Sequence, residues 1–132
     1  MPILVDSNVI LDLATQDPVW AEWSGRALEE HAGERFLVNL VIYAELCSNA
    51  NSAQEVDGLL DALNMEFAAL PREALFLAAQ AHLADRRRGG TRNIGLPDFF
   101  IGAHAQASGL SILTRDTGRY VTYFPAVPLI AP

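Results

Sequence analysis

The chain has 132 residues, 51% of them apolar, and a net charge of −7. That is enough chain for one domain with its own core, and too apolar for a disordered segment. The single Cys47 excludes an intramolecular disulfide, suits a reducing compartment and reads as a buried small hydrophobe. No apolar run is long enough to span a membrane, and no basic start followed by a long apolar stretch marks a secretory leader, so a cytoplasmic protein is expected. The acidic total argues against a polyanionic partner, because phosphate contacts need Lys and Arg. Its distribution softens that objection. Residues 1–66 carry twelve acids and two Arg, whereas residues 67–132 carry four acids and seven Arg, so the halves stand at −10 and +3. Such asymmetry marks either solvated helix faces or a polyanion-binding side opposite a side for a basic partner.

In chain order, residues 2–5 form a short apolar run that predicts a buried strand. Ser7 or Asn8 then caps a helix over 9–13. Asp17-Pro18 opens a second helix that runs past Trp20 and Trp23 to about His31, where Gly33 stops it. Residues 35–38 predict a second strand, and Asn39 caps a third helix carrying Glu45 and Cys47. Ser52 with Glu55 three residues on is a capping box for a fourth helix. Residues 65–70 predict a weaker third strand. Pro71 opens a long helix to Arg88, ended by Gly89-Gly90. Residues 91–96 read as a loop. Pro97 starts a helix over 98–108, apolar nearly all round and so buried, ended by Gly109. Residues 111–114 predict a fourth strand, residues 115–123 a turn with a short helix, and residues 126–130 a last strand whose prolines suit a sheet edge. Strands alternating with helices predict a single α/β domain over 1–132, with a mostly parallel four- to five-stranded sheet and helices on both faces.

Four acids fall at instructive places. Asp6 ends the first strand, Asp98 sits in the first turn of a buried helix, and Asp116 lies just past the fourth strand. Such positions converge at the carboxyl edge of a parallel sheet, where ligands bind. Glu45 lies on a largely apolar helix, where an unpaired carboxylate is costly to bury. Each acid also has a plain structural reading: Asp6 as a helix cap, Asp98 as a partner of the helix dipole, Asp116 as a turn residue. Four carboxylates in one cleft repel one another unless a cation sits among them. An oxygen-only set points to Mg²⁺, with Mn²⁺ as a substitute, rather than zinc. Asp6 and Asp98 are the expected direct ligands, with Glu45 and Asp116 holding waters or a second ion.

Four stretches resemble the motifs of PIN-domain proteins. They are Ile3-Leu4-Val5-Asp6-Ser7-Asn8-Val9-Ile10-Leu11-Asp12-Leu13, Asn39-Leu40-Val41-Ile42-Tyr43-Ala44-Glu45-Leu46, Leu96-Pro97-Asp98-Phe99-Phe100-Ile101-Gly102-Ala103-His104-Ala105 and Ile112-Leu113-Thr114-Arg115-Asp116. Their order, spacing and the chain length resemble the VapC toxins of bacterial type II toxin–antitoxin pairs. The resemblance implies a PIN-like domain, a Mg²⁺-dependent endoribonuclease acting on RNA such as tRNA or rRNA, inhibition by a cognate antitoxin, and a homodimer. It also implies Asp6, Glu45, Asp98 and Asp116 as the acidic cluster. Some relatives carry a further acid about three residues after Asp116, where this chain has Arg119.

Substrate contacts are expected from Ser7, Asn8 and Thr114 beside the acids, and from Arg92 and Arg115, with Arg86, Arg87, Arg88 and Arg119 as further phosphate contacts or, at the helix end, dipole partners. Two other readings stand beside the nuclease. One is a catalytically silent PIN-type domain that binds RNA or protein. The other is an Asp-centred phosphatase or receiver, which fits less well because position 8 is Asn and the chain has no Lys.

Overall fold

The apolar runs become the strands of a parallel sheet. The computed structural model describes residues 1–89 and 94–132. Among them, five strands form one sheet: β1 (Ile3–Val5), β2 (Phe36–Val38), β3 (Met65–Phe67), β4 (Ser111–Leu113) and β5 (Leu129–Ile130). Their order is β3-β2-β1-β4-β5, and every pairing is parallel. The three central strands are buried along their whole length. That is why they read as unbroken apolar runs rather than alternating ones.

The six helices are α1 (Ser7–Ala14), α2 (Ala21–Glu30), α3 (Leu40–Cys47), α4 (Ala53–Ala62), α5 (Arg72–Arg87) and α6 (Leu96–Ser108), counted among the described residues. Winding runs outward from β1 through β2 to β3, then reverses to β4 on the other side of β1. Right-handed crossovers therefore send α1–α4 and α5–α6 to opposite faces. The reversal leaves a crevice past the carboxyl ends of β1 and β4, the switch point where a doubly wound sheet takes its ligand.

The caps follow local chemistry. Asn39 Oδ1 accepts from the backbone N–H groups of Val41 and Ile42 at the start of α3. Ser52 Oγ accepts from Glu55 N–H at the start of α4. Gly109 ends α6 in the left-handed region with φ 66°. At α1 the cap is Asp6 itself, one residue before the expected Ser7 or Asn8. The second helix also starts later than expected, at Ala21. Asp17 Oδ1 accepts from the N–H groups of Val19 and Trp20, which closes a separate turn before α2 begins. β5 lies at the edge, shorter than the expected 126–130 because Pro128 stands just before it, and the Pro128 carbonyl accepts from Ile112 N–H. Cys47 is only partly buried.

One close approach holds the buried helix in place. Gly102 on α6 faces the Phe124 ring so tightly that a Cβ there would stand 2.2 Å from Phe124 Cδ2. His104, two residues on, is buried and pairs with Asn39. The Asn39 carbonyl oxygen is already taken by two backbone donors, so its amide donates to His104 Nδ1 at 2.9 Å. Burial lowers the His104 pKa and keeps the ring neutral.

Candidate active site

Asp6 leaves β1 directly into the crevice and is fully buried. Its two oxygens do different work. Oδ2 accepts from Tyr120 OH at 2.7 Å, Thr114 Oγ1 at 2.9 Å and the Asn8 amide at 3.4 Å. Oδ1 accepts from Ser7 N–H at 2.8 Å and lies 4.0 Å from Arg119 Nη1. The capping reading and the cleft reading of Asp6 thus meet on Oδ1, while Oδ2 is held by side chains from the far side.

Asp98, by contrast, separates the two roles between its oxygens. It is the third residue of α6, and Gly95 N–H donates to its Oδ2 at 3.2 Å. Its Oδ1 accepts from Arg119 Nη1 at 3.2 Å. Asp116 lies at the rim, where its side chain is half exposed and Oδ2 accepts from Arg119 Nε at 3.1 Å. One guanidinium therefore touches or approaches three of the four acids.

The fourth acid joins through a hydroxyl. Ser7 Oγ donates to Glu45 Oε1 at 3.0 Å, which ties α3 to the start of α1. Burial raises the Glu45 pKa above the usual range; the Ser7 bond opposes that rise, and the neighbouring Asp6 and Asp98 add to it. Asp98 is raised too, first by burial, against the pull of Arg119 and the Gly95 N–H. Both are the signature of crowded carboxylates in a partly dry cleft.

The expected substrate residues have varied surroundings. Asn8 and Thr114 bond each other and Asp6, and Asn8 Oδ1 accepts from Arg115 N–H. Arg115 is engaged elsewhere. Its guanidinium pairs with buried Asp12 through Nε at 2.8 Å and Nη2 at 3.2 Å, and it lies over the Trp20 ring. Ser24 Oγ also donates to Asp12, so this pair ties α1, α2 and the segment after β4 together. Arg92 falls outside the described residues. Tyr120, fully buried against Asp6, was not foreseen. A tyrosine in a stretch that reads as a turn carries no local sign that its hydroxyl will meet a carboxylate 114 positions earlier.

The donor set is carboxylate oxygen, which suits a hard divalent cation. The cleft-facing Oδ1 atoms of Asp6 and Asp98 both lie within 4.0 Å of one nitrogen, so a single cation reaches both. That nitrogen belongs to Arg119. Among the described residues no three His, Cys, Asp or Glu groups converge as a formed metal site, and no buried side-chain nitrogen or oxygen lacks a partner. The cleft fits a divalent cation in its chemistry and carries a cation of its own in that place.

Comparison with known proteins adds the following. No curated protein sequence matches the chain. Among solved structures, the fold is similar to a chain of VapBC2 from Rickettsia felis bound to a DNA fragment from the promoter, at 18% identity and TM-score 0.76, covering 99% of this chain and 98% of that one. It is similar to a chain of VapBC-1 from nontypeable Haemophilus influenzae at 16% identity and TM-score 0.75, with 99% and 98% coverage. A toxin–antitoxin complex from Klebsiella pneumoniae contributes a third likeness at 21% identity and TM-score 0.70, with 95% and 94% coverage. The sequence profile of the PIN domain matches residues 3–124. With that match over nearly its full length, and a parallel sheet whose switch point gathers acids, the chain belongs to the PIN domain family.

Proposed function

We propose that the chain is a Mg²⁺-dependent endoribonuclease, with Mn²⁺ as a substitute ion, acting in the cytoplasm as the toxin of a type II toxin–antitoxin pair. One observation carries this reading: Asp6, Asp98 and Asp116 gather around one cation at the switch point of a PIN domain, with Glu45 one hydroxyl away. The likeness to chains of VapBC complexes supports a cognate antitoxin as partner, and a homodimer as the working form follows from the family resemblance alone. Among the described residues no helix is long and apolar enough to cross a membrane.

The Oδ1 atoms of Asp6 and Asp98 would hold the ion, with Asp116 at the rim. A bound divalent ion supplies Lewis-acid polarisation of the scissile phosphate. Glu45, with its raised pKa, is suited to accept a proton from the attacking water. Ser7 orients Glu45, while Asn8, Thr114 and Tyr120 keep Asp6 aimed. Phosphate contacts fall to Arg92, and Arg115, already held by Asp12, adds one only through the guanidinium edge turned away from that acid.

The deciding experiment offers purified protein a structured RNA, such as tRNA or rRNA. Cutting in Mg²⁺, none in EDTA, and none with Glu45→Gln is the expected result. Cleavage indifferent to EDTA would refute the reading. A second reading, a catalytically silent PIN-type domain that binds RNA or protein, draws support from Arg119 among the acids. RNA binding without turnover in Mg²⁺ or Mn²⁺ would favour it.

A further inference from the structure

Arg119 places a positive charge among the acids of the cleft. Its Nη1 stands 3.2 Å from Asp98 Oδ1 and 4.0 Å from Asp6 Oδ1, and its Nε donates to Asp116 Oδ2 at 3.1 Å. The first two are the oxygens assigned above to a divalent ion. A guanidinium and a metal ion cannot both occupy that space.

The local fold holds the arginine there. Arg119 closes a turn of 3₁₀ helix (Thr117–Arg119) that begins just after Asp116. Residues three apart on such a turn lie above one another, which aligns Arg119 with Asp116. The next residue, Tyr120, is fully buried and ties the turn to Asp6 Oδ2. The guanidinium is thus aimed at the acids by a neighbour bonded to the same aspartate. An arginine guanidinium keeps its charge at any working pH, so the cleft holds a permanent positive group. With a side chain 30% exposed, it also has a path out to solvent.

Resting on the metal-dependent reading, we propose that Arg119 is a resident counter-cation of the cleft, and that a divalent ion binds by displacing its guanidinium towards solvent. Arg119 is then a positioning residue that sets the metal threshold. In the ion-free protein it offsets repulsion among Asp6, Asp98 and Asp116. Its removal leaves those acids without a competitor for the metal, and also without their internal neutralisation.

The test measures Mn²⁺ binding to the full chain by electron paramagnetic resonance, with Mn²⁺ alone as the probe, for wild type, Arg119→Gln and Asp98→Asn. Arg119→Gln should bind about tenfold more tightly than wild type, since charge-assisted bonds no longer oppose the ion. Asp98→Asn should bind more weakly. Equal or weaker binding by Arg119→Gln, with wild type binding normally, overturns the counter-cation and leaves the metal reading intact. Binding by neither wild type nor Arg119→Gln overturns both. Should Arg119→Gln fail to fold, wild type alone decides. Saturating Mg²⁺ should shift the Arg119 Nε–H resonance and speed its exchange with water. An unmoved resonance at saturation overturns the proposal.

Discussion

Tyr120→Phe isolates one hydrogen bond at the centre of the molecule. The ring is fully buried, and its hydroxyl donates to Asp6 Oδ2 at 2.7 Å. Phenylalanine keeps the ring and removes only the oxygen, so the packing change is small. A hydrogen bond to a charged group contributes about 1.5–3 kcal/mol. Asp6 Oδ2 keeps Thr114 and Asn8 as donors, so the carboxylate is not orphaned and the lower part of that range applies. The expected loss is about 1.5–2 kcal/mol, which for a domain of this size lowers Tm by roughly 5–8 °C. Urea denaturation of the metal-free protein measures it, with Tyr43→Phe as the comparison. Tyr43 OH donates to Asp57 at 2.8 Å on the exposed surface, so its removal should leave the midpoint nearly unchanged. If the two variants lose the same stability, burial of the Tyr120–Asp6 bond does not carry the weight assigned to it.

Gly102→Ala forces a methyl group into the Phe124 ring and should cost about 1–3 kcal/mol by overpacking, with Phe124→Leu in the same chain restoring part of the loss in thermal melts. Glu45→Gln should abolish RNA cleavage yet raise the Tm of the metal-free protein at pH 7.5. A carboxyl with a raised pKa gives its full stability below its ordinary range and loses it as pH rises through the folded value, so at neutral pH the ionised form is a penalty that glutamine removes. A Tm that falls instead would show the charge to be compensated. His104 acts with the opposite sign. Its lowered pKa means that stability is complete above about pH 6.5 and is lost as pH falls from there, because the unfolded chain takes up the proton first. Its ring resonances should change to those of imidazolium at a lower pH than a free imidazole's, and protonation at the ordinary value would contradict the burial argument.

Much of the fold was legible along the chain because it rests on local rules. The buried strands announced themselves as apolar runs, Asn39 and Ser52 as caps, and Gly109 as a left-handed stop. The parallel sheet followed from alternation. The positions of Asp6, Asp98 and Asp116 relative to strand and helix ends were legible for the same reason. What stayed hidden lies in pairings between distant side chains. Tyr120 meets Asp6, Arg115 meets Asp12, and Gly102 meets the Phe124 ring, none of which leaves a periodic or compositional trace. Arg119 could be noticed as a basic residue where some relatives carry an acid, but not as a group pointing into the cleft. The late start of α2 was missed because an Asp-Pro pair opens a turn as readily as a helix.

The division of labour between the oxygens of Asp6 bears on how the protein is disarmed in practice. The customary inactive variant replaces such an aspartate by asparagine. An asparagine at position 6 has one acceptor and one amino group, whereas both Asp6 oxygens face donors. Turned one way, its NH₂ meets the hydroxyls of Tyr120 and Thr114; turned the other, it meets Ser7 N–H. Asp98 has the same difficulty between Gly95 N–H and Arg119. Harmless expression of Asp6→Asn in cells would therefore confound lost chemistry with lost protein. Glu45 accepts from the Ser7 hydroxyl at Oε1, and a glutamine carbonyl can accept the same bond without a donor facing a donor. A cell-growth experiment on this chain is best controlled at Glu45, with the amount of folded protein measured alongside.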